Sequence, residues 1–338
     1  MPPSADGRTL ILALAGIGDL LLASPAVRRL QEGYGVDHCL LAIVPRALDL
    51  MPLLEIPGRV LTLPLEEVRL PAPLLRGSAR RQVAAFRQRV REAGVTEVVS
   101  LHEIGSLRGL LSLSLLLRGL GVRKTIGRGW RGTRLPFRTA VSEHALHGLH
   151  NVERYHRVAD LAGAPGEHLG PRLDTPALPP DLPTLASPLL CLNPGANVPG
   201  KRWPIDRLVT VGRTLADRFG GIAVLGGPTE QSESRAIAEA IGTPAVSLAG
   251  RVDLSGLAAV LGRASVLVTN NSGPMHLAAA LGTPTVALFG NLPVETLHPW
   301  LPEGRYRVLT SDRNRLPGSL EAIDVAEVVT AVRTLMEA

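Results

Sequence analysis

The chain has 338 residues, of which 45% are apolar and only 3% aromatic, with a formal net charge of +6. That length suits two domains, the apolar share excludes a disordered chain, and the cores must be aliphatic, as in parallel sheets covered by helices on both faces. The arginine excess fits a phosphorylated or membrane-bound anionic partner as well as a plain solvated surface. Basic residues without interleaved aromatics exclude a nucleic-acid module that works by base stacking.

Thr9–Ala15 reads as the first strand, followed by the loop AGIGDLLLASP over Ala15–Pro25. The run Leu10–Ala23 looks like the apolar core of a signal peptide. However, Asp19 inside it opposes insertion by about 2.5–3.5 kcal/mol, and Gly16 and Gly18 divide it into strand and helix. No uninterrupted apolar run reaches the ~20 residues that span a bilayer, so a cytoplasmic protein, at most peripheral at the inner membrane face, is expected. Gly16 and Gly18 allow a tight turn and close approach of a ligand to the backbone. Asp19 falls at a helix N-terminus, where it serves either as a base or as a helix-starting residue favoured by the dipole. A dinucleotide fingerprint would need glycine at Leu21 and an acid after the second strand, and Asp37 precedes that strand instead.

Further strands are expected at Cys39–Val44, Arg59–Leu63 and Thr96–Leu101. Between the last two, Ser78–Ala93 places Val83, Phe86 and Val90 at helical spacing, with arginines opposite and Gly94 as the stop. His144, His147 and His150 recur every third residue, but no carboxylate or cysteine completes a metal ligand set. Asn151–Ala162 is an amphipathic helix. Cys39 and Cys191 lie inside apolar strands and read as buried free thiols.

Pro171–Pro188 holds six prolines without regular period and reads as a stiff linker between a first domain over 1–170 and a second over 189–338. The second half alternates strands and helices: Leu189–Asn193, Gly221–Leu225, Ala245–Leu248, Ser265–Thr269 and Thr283–Phe289, with helices between and a last amphipathic helix over Leu320–Glu337. This is the pattern of right-handed βαβ units. The expected fold class is therefore α/β, two doubly wound Rossmann-like domains facing a central cleft, with ligands beyond the carboxyl ends of the strands.

Three loops of the second half carry chemistry. Asn193–Trp203 begins NPGANVPGKRW, and its glycines, Asn197, Lys201 and Arg202 suit a pyrophosphate, although an ordinary loop opening a helix reads the same way. Leu225–Glu230 (LGGPTE) offers Glu230 to a ribose diol or to its own helix cap. Thr269–His276 (TNNSGPMH) opens a helix at Ser272, Gly273 and Pro274, whose free N–H groups form an anion site; His276 falls one turn inside and reads as packed. There is no Asp-x-Asp to hold a divalent metal and no nucleophile elbow.

Taken together, GIGDLLLASPAVRRL, NPGANVPGKRWP, LGGPTE and TNNSGPMHLAAALGTPTVALFG resemble the heptosyltransferase family, glycosyltransferase family 9, from about Thr9 to Trp300. The resemblance implies a GT-B fold, an acceptor-binding first domain, a nucleotide-sugar-binding second domain, and metal-independent inverting transfer without a cofactor. The donor would be ADP-heptose and the acceptor an anionic glycolipid of the lipid A/Kdo-type core of lipopolysaccharide. It implies Asp19 as catalytic base; Lys201, Ser272, Gly273 and Asn197 at the donor diphosphate; Glu230 at the ribose; and Gly250–Leu254 beside the adenine. Basic residues such as Arg108, Arg123, Lys124, Arg128 and Arg131 would meet acceptor phosphates and carboxylates. Where the family has Asp-Thr-Gly or Asp-Ser-Gly, this chain has Asn271-Ser272-Gly273, so the residue facing the donor sugar has lost its charge. That departure keeps another donor sugar open. A nucleotide-sugar epimerase of the same plan, a nicotinamide oxidoreductase and a non-catalytic sugar-nucleotide or glycan binder are the alternatives.

Overall fold

The computed structural model describes residues 7–72, 76–196, 200, 202–290, 293–311 and 320–337. The chain divides into two compact units, Met1–Pro171 and Arg172–Ala338. The first contains β1 (Arg8–Ala13), β2 (Cys39–Ile43), β3 (Arg59–Thr62), β4 (Val95–Ser100), β5 (Lys124–Arg128) and β6 (Thr139–Val141). The second contains β7 (Leu189–Asn193), β8 (Gly221–Val224), β9 (Ala245–Ser247), β10 (Val266–Asn270), β11 (Thr285–Phe289) and β12 (Tyr306–Thr310).

Each unit is one six-stranded sheet, in the orders β3-β2-β1-β4-β5-β6 and β12-β11-β10-β7-β8-β9. Every pairing is parallel. Numbered within its own unit, each sheet has the doubly wound order 3-2-1-4-5-6. The order reverses between β1 and β4 in one unit and between β7 and β10 in the other.

Aliphatic runs build these sheets because helices cover both faces of the central strands. Leu10, Ile11 and Leu12 of β1 are all fully buried, with no alternation of exposed residues. On one face Leu10, Leu40 and Val98 pack with Val83, Phe86 and Val90 of the helix Gly77–Glu92 and with Leu110, Leu113 and Leu116 of the helix Leu107–Arg118. In the second unit Leu190, Leu192, Val266, Val268 and Val286 pack against Leu208, Val211 and Ile237, and against Val328, Val332 and Leu335 of the last helix. Cys39 and Cys191 are buried free thiols, pushed up to about 11 and about 12 chiefly by burial.

The Pro-rich stretch is not a free-standing spacer. Leu173 N–H donates to Ala280 O at 2.9 Å, and Arg263 donates to Pro176 O at 2.7 Å. Thr175 lies so close to Gly262 that a Cβ there would fall 2.3 Å from its hydroxyl. The segment is thus docked on the second unit and belongs to it. The last helix also begins later than its periodicity suggests. A short 3-10 turn, Leu320–Ala322, precedes Val325–Glu337, and the Asp324 carboxylate accepts from Ala326 N–H at the break. Among the described residues no helix is long and apolar enough to cross a membrane.

Candidate functional site

In the first unit the reversal point is occupied by Asp19. The helix Ile17–Tyr34 follows β1 after a short turn, with Gly16 at its N-cap and Asp19 as its third residue. The Asp19 carboxylate accepts from Gly16 N–H at 3.3 Å, so the residue does start its helix. Gly16 is extended (φ −69°, ψ 174°), so the turn uses no left-handed backbone there, and Gly18 lies within the helix. Pro25, inside the helix, has no N–H for Leu21 O; the buried Ser24 hydroxyl donates to that carbonyl at 2.7 Å instead. The helix therefore continues through the proline.

Asp19 borders a cavity of about 610 Å³, shared with Gly16 after β1, His102 and Glu103 after β4, and Arg46, Arg69, Arg108 and Tyr155. Burial is the largest influence on Asp19 and raises its pKa above the ordinary 3.8. The Gly16 N–H opposes this, Glu103 adds to it, and Arg128 and Arg46 oppose it. Arg128, only 5% exposed, pairs with Glu103 at 3.4 Å, lies 6.0 Å above the Tyr155 ring, and keeps Nη1 without a partner among the described residues. Burial, followed by Arg69, pushes His102 down to about 4, so its imidazole is neutral near pH 7. The result is one partly buried carboxylate, less acidic than usual, held between an acid and two cations. Such a group can accept a proton from a hydroxyl brought into the cavity.

The second unit's reversal point is built from amides and hydroxyls. Asn193, at the end of β7, donates to Gly195 O at 3.2 Å, Thr269 Oγ1 at 2.9 Å and Ser272 Oγ at 3.1 Å, joining the loops after β7 and β10. Asn270 accepts from Trp203 N–H at 3.1 Å and donates to Pro194 O at 2.8 Å, fixing both ends of the loop between them. Ser272 is the N-cap of the helix Gly273–Ala280, but its hydroxyl is turned to Asn193 and Asn270 and caps no N–H. A Cβ built on Gly273 would meet nothing within 4 Å. In that first turn Pro274 has no N–H and Met275 N–H donates to Ser272 O at 3.1 Å, so the Gly273 N–H is the donor left for an anion at the helix start.

Glu230 accepts from Gly227 N–H at 2.9 Å and from Arg202 at 3.1 Å, with Glu233 a further 3.6 Å contact of the same guanidinium. It therefore caps its own turn while leaving carboxylate lone pairs for another donor. Gly195 is required beside it, since a Cβ there would lie 2.5 Å from Glu230 Oε1. Asn271 donates its N–H to Leu288 O at 3.2 Å, and its side-chain Nδ2 has no partner among the described residues. His276 is packed: it is 6% exposed and pushed down to about 4 by burial and by His298.

Ser272, Gly273, Asn271 and Glu230 thus stand on the loops after β10 and β8 of one sheet, and Asp19 stands after β1 of the other. Asn197 and Lys201 lie outside the described residues. Arg202, read from sequence only as added positive charge, is instead the ion-pair partner of Glu230. Of the basic residues assigned to the acceptor, Arg108 reaches the Asp19 cavity and Arg128 acts on Asp19. Lys124 pairs with Glu97 at 3.0 Å, and Arg131 lies over Trp130. His102, Glu103 and Tyr155 carry no local motif and were not anticipated. The three spaced histidines do not converge: His150 caps the helix Asn151–Leu161 by accepting from Val152 N–H, while His144 and His147 are exposed. Among the described residues no group of three or more metal-ligating side chains gathers.

Two doubly wound parallel sheets, each with loops beyond the strand ends at its reversal point, define an α/β class whose ligands bind at those loops. The model of glycosyltransferase family 9 (heptosyltransferase) matches residues 85–318, and the chain belongs to that family. It is a glycosyltransferase of GT-B fold. A family 9 glycosyltransferase from Veillonella parvula aligns over 100% of this chain and 99% of its own, at 19% identity and a TM-score of 0.76. E. coli ADP-heptose lps heptosyltransferase II aligns over 98% of each chain, at 21% identity and a TM-score of 0.72. E. coli heptosyltransferase WaaC with ADP aligns over 97% of this chain and 99% of its own, at 20% identity and a TM-score of 0.75. These identities speak for the fold. No curated protein sequence matches significantly.

Proposed function

We propose that this glycosyltransferase transfers heptose, or a closely related sugar, from an ADP-sugar to an anionic acceptor of the lipopolysaccharide-core type. The reaction inverts the anomeric carbon and needs neither metal nor cofactor. The observation that carries this reading is the partly buried Asp19 carboxylate, which borders a cavity of about 610 Å³ and is raised in pKa by desolvation.

In this mechanism the acceptor hydroxyl enters the cavity and gives its proton to Asp19 as its oxygen bonds to the anomeric carbon. The bond from that carbon to the diphosphate oxygen breaks on the opposite face, and ADP departs with the electron pair. The leaving diphosphate is received by the N–H groups opening at Ser272 and Gly273, together with Asn197 and Lys201. Glu230 holds the ribose through the lone pairs that Gly227 and Arg202 leave unused. Asn271 offers an amide donor to the sugar where the family has a carboxylate. Arg108, Arg46 and Arg69 give the cavity the positive charge that an anionic acceptor requires. The ADP-sugar assignment draws support from the relative WaaC, which has been solved with ADP-2-deoxy-2-fluoro heptose. Work at the inner face of the cytoplasmic membrane follows from a lipid-linked acceptor.

The test is thermal stabilisation by ADP, UDP, GDP, CDP, NAD and ADP-heptose, followed by transfer to a core-type acceptor. Selective stabilisation by ADP and ADP-heptose is expected, with ADP released only when acceptor is present. Stabilisation by UDP alone, or interconversion of a nucleotide-sugar without acceptor, would overturn the donor or the reaction respectively.

A further inference from the structure

The helix Leu107–Arg118 (LRGLLSLSLLLR) has two working faces. One enters the core through Leu110, Leu113, Leu116 and Leu117. The other exposes Leu107, Leu111 and Leu115, which are 59%, 49% and 45% accessible. Their spacing of four residues puts them in one stripe down the helix. Isolated exposed leucines are ordinary, but three aligned on one helix are an apolar surface that water leaves uncovered.

Cations bracket the stripe. Arg108 stands at its first turn, and exposed Arg118 ends the helix. Arg87, from the neighbouring helix, donates to Leu115 O at 2.7 Å, so its guanidinium sits at the stripe's far end. Arg91 is close enough to depress the Arg87 pKa, although burial is the larger cause. The helix that supplies them, Gly77–Glu92, carries five arginines and one acid, and the Leu107–Arg118 helix carries no acid. Among the described residues none of Arg80, Arg81, Arg91 and Arg118 forms an ion pair. Apolar side chains with guanidinium groups at both ends, Arg108 at one and Arg87 and Arg118 at the other, match an anionic bilayer surface, where leucines enter the acyl boundary and cations meet phosphate headgroups.

We propose that the Leu107/Leu111/Leu115 stripe docks this protein on the surface of an anionic lipid bilayer. The same helix contributes Arg108, Gly109 and Ser112 to the wall of the Asp19 cavity. Docking therefore places the cavity wall against the surface from which a lipid-linked acceptor is drawn. That consequence rests on the glycolipid-acceptor reading above, whereas the docking itself does not.

The experiment compares the wild-type protein with Leu107→Gln/Leu111→Gln/Leu115→Gln, which keeps good helix formers at exposed positions outside the cavity. Binding is measured by co-sedimentation with vesicles of phosphatidylethanolamine and phosphatidylglycerol, and with phosphatidylcholine vesicles. The wild-type protein is expected to bind the phosphatidylglycerol vesicles selectively, and the variant to lose about tenfold or more of that binding at an unchanged melting temperature. Equal binding by the variant, or wild-type indifference to both vesicles, overturns the proposal. So does wild-type self-association that the variant abolishes, because a second copy then covers the stripe. Transfer to a water-soluble, delipidated acceptor separates the two readings. Its absence in both proteins counts against the glycolipid-acceptor reading, and its preservation in a variant that no longer binds vesicles supports docking.

Discussion

The two units share one winding order and one place for chemistry, yet furnish that place in opposite ways. At the β1/β4 reversal the side chains are charged: Asp19, Glu103, Arg46 and Arg128 act on one another around an open cavity. At the β7/β10 reversal the side chains that tie the loops are neutral: Asn193, Thr269, Asn270 and Ser272 make a fixed hydrogen-bonded frame. A proton acceptor needs a carboxylate whose basicity is raised by burial and by a like charge. An anion site needs backbone donors held still, so that none must reorganise when charge develops. The shared winding puts both sets of loops at the same place in their sheets, and the side chains after each strand give the two places different chemistry.

Substitutions that break this comparison differ in size. Asp19→Asn removes the proposed base with little change of shape, and transfer should fall about 10²–10⁴-fold, measured as initial rate at saturating donor. Its effect on stability runs the other way. Burial raises the folded-state pKa above 3.8, so the native fold disfavours the charged carboxylate, and this destabilisation is fully present at pH above the folded pKa. The amide removes it, and the melting temperature at pH 7 should hold or rise. Full transfer activity in this variant would end the base assignment.

Asn193→Ala strikes the neutral frame. It deprives Thr269, Ser272 and Gly195 of a shared donor, and should cost about 1–3 kcal/mol in denaturant unfolding. Stabilisation by ADP should shrink with it. If unfolding weakens while the ADP shift stays whole, Asn193 is a structural tie only.

Glu103→Gln is the subtlest change, because it leaves the proposed base in place and alters its field. Glu103 raises the Asp19 pKa, whereas Arg128, no longer neutralised at 3.4 Å, would lower it further. The acid limb of the pH–rate profile should move to lower pH, with a smaller loss of rate than Asp19→Asn causes. An unmoved limb would show that another group controls it.

Much of this architecture is legible residue by residue. The aliphatic runs at Leu10–Leu12 and Leu190–Leu192 mark central strands because both faces are buried. The pattern missed β5, a buried run that Lys124 and Arg128 bound with charge, and three elements whose environment is mixed. The helix Leu107–Arg118 has leucines on its exposed face as well as its buried one, which erases the helical period. β6 is three residues long at a sheet edge, and β12, also at an edge, is only half-buried. Neither position demands a continuous apolar run. In the site, Asp19 and Ser272 were readable from glycine and helix-start chemistry beside them. His102, Glu103 and Tyr155 were not, because their relation to Asp19 is made by strand order.

By itself, then, the sequence determined the βαβ alternation, the loops that follow the strands, and the family those loops resemble, because each is written in contiguous residues. Only the tertiary structure decided that Arg202 answers Glu230 across 28 positions, and that Asn193 reaches Ser272 across 79. It also decided that burial and Glu103 together make Asp19 less acidic than a free carboxylate. These are properties of side chains brought together by parallel pairing of distant strands, and local sequence carries no signal for a field that exists only once the sheet has closed.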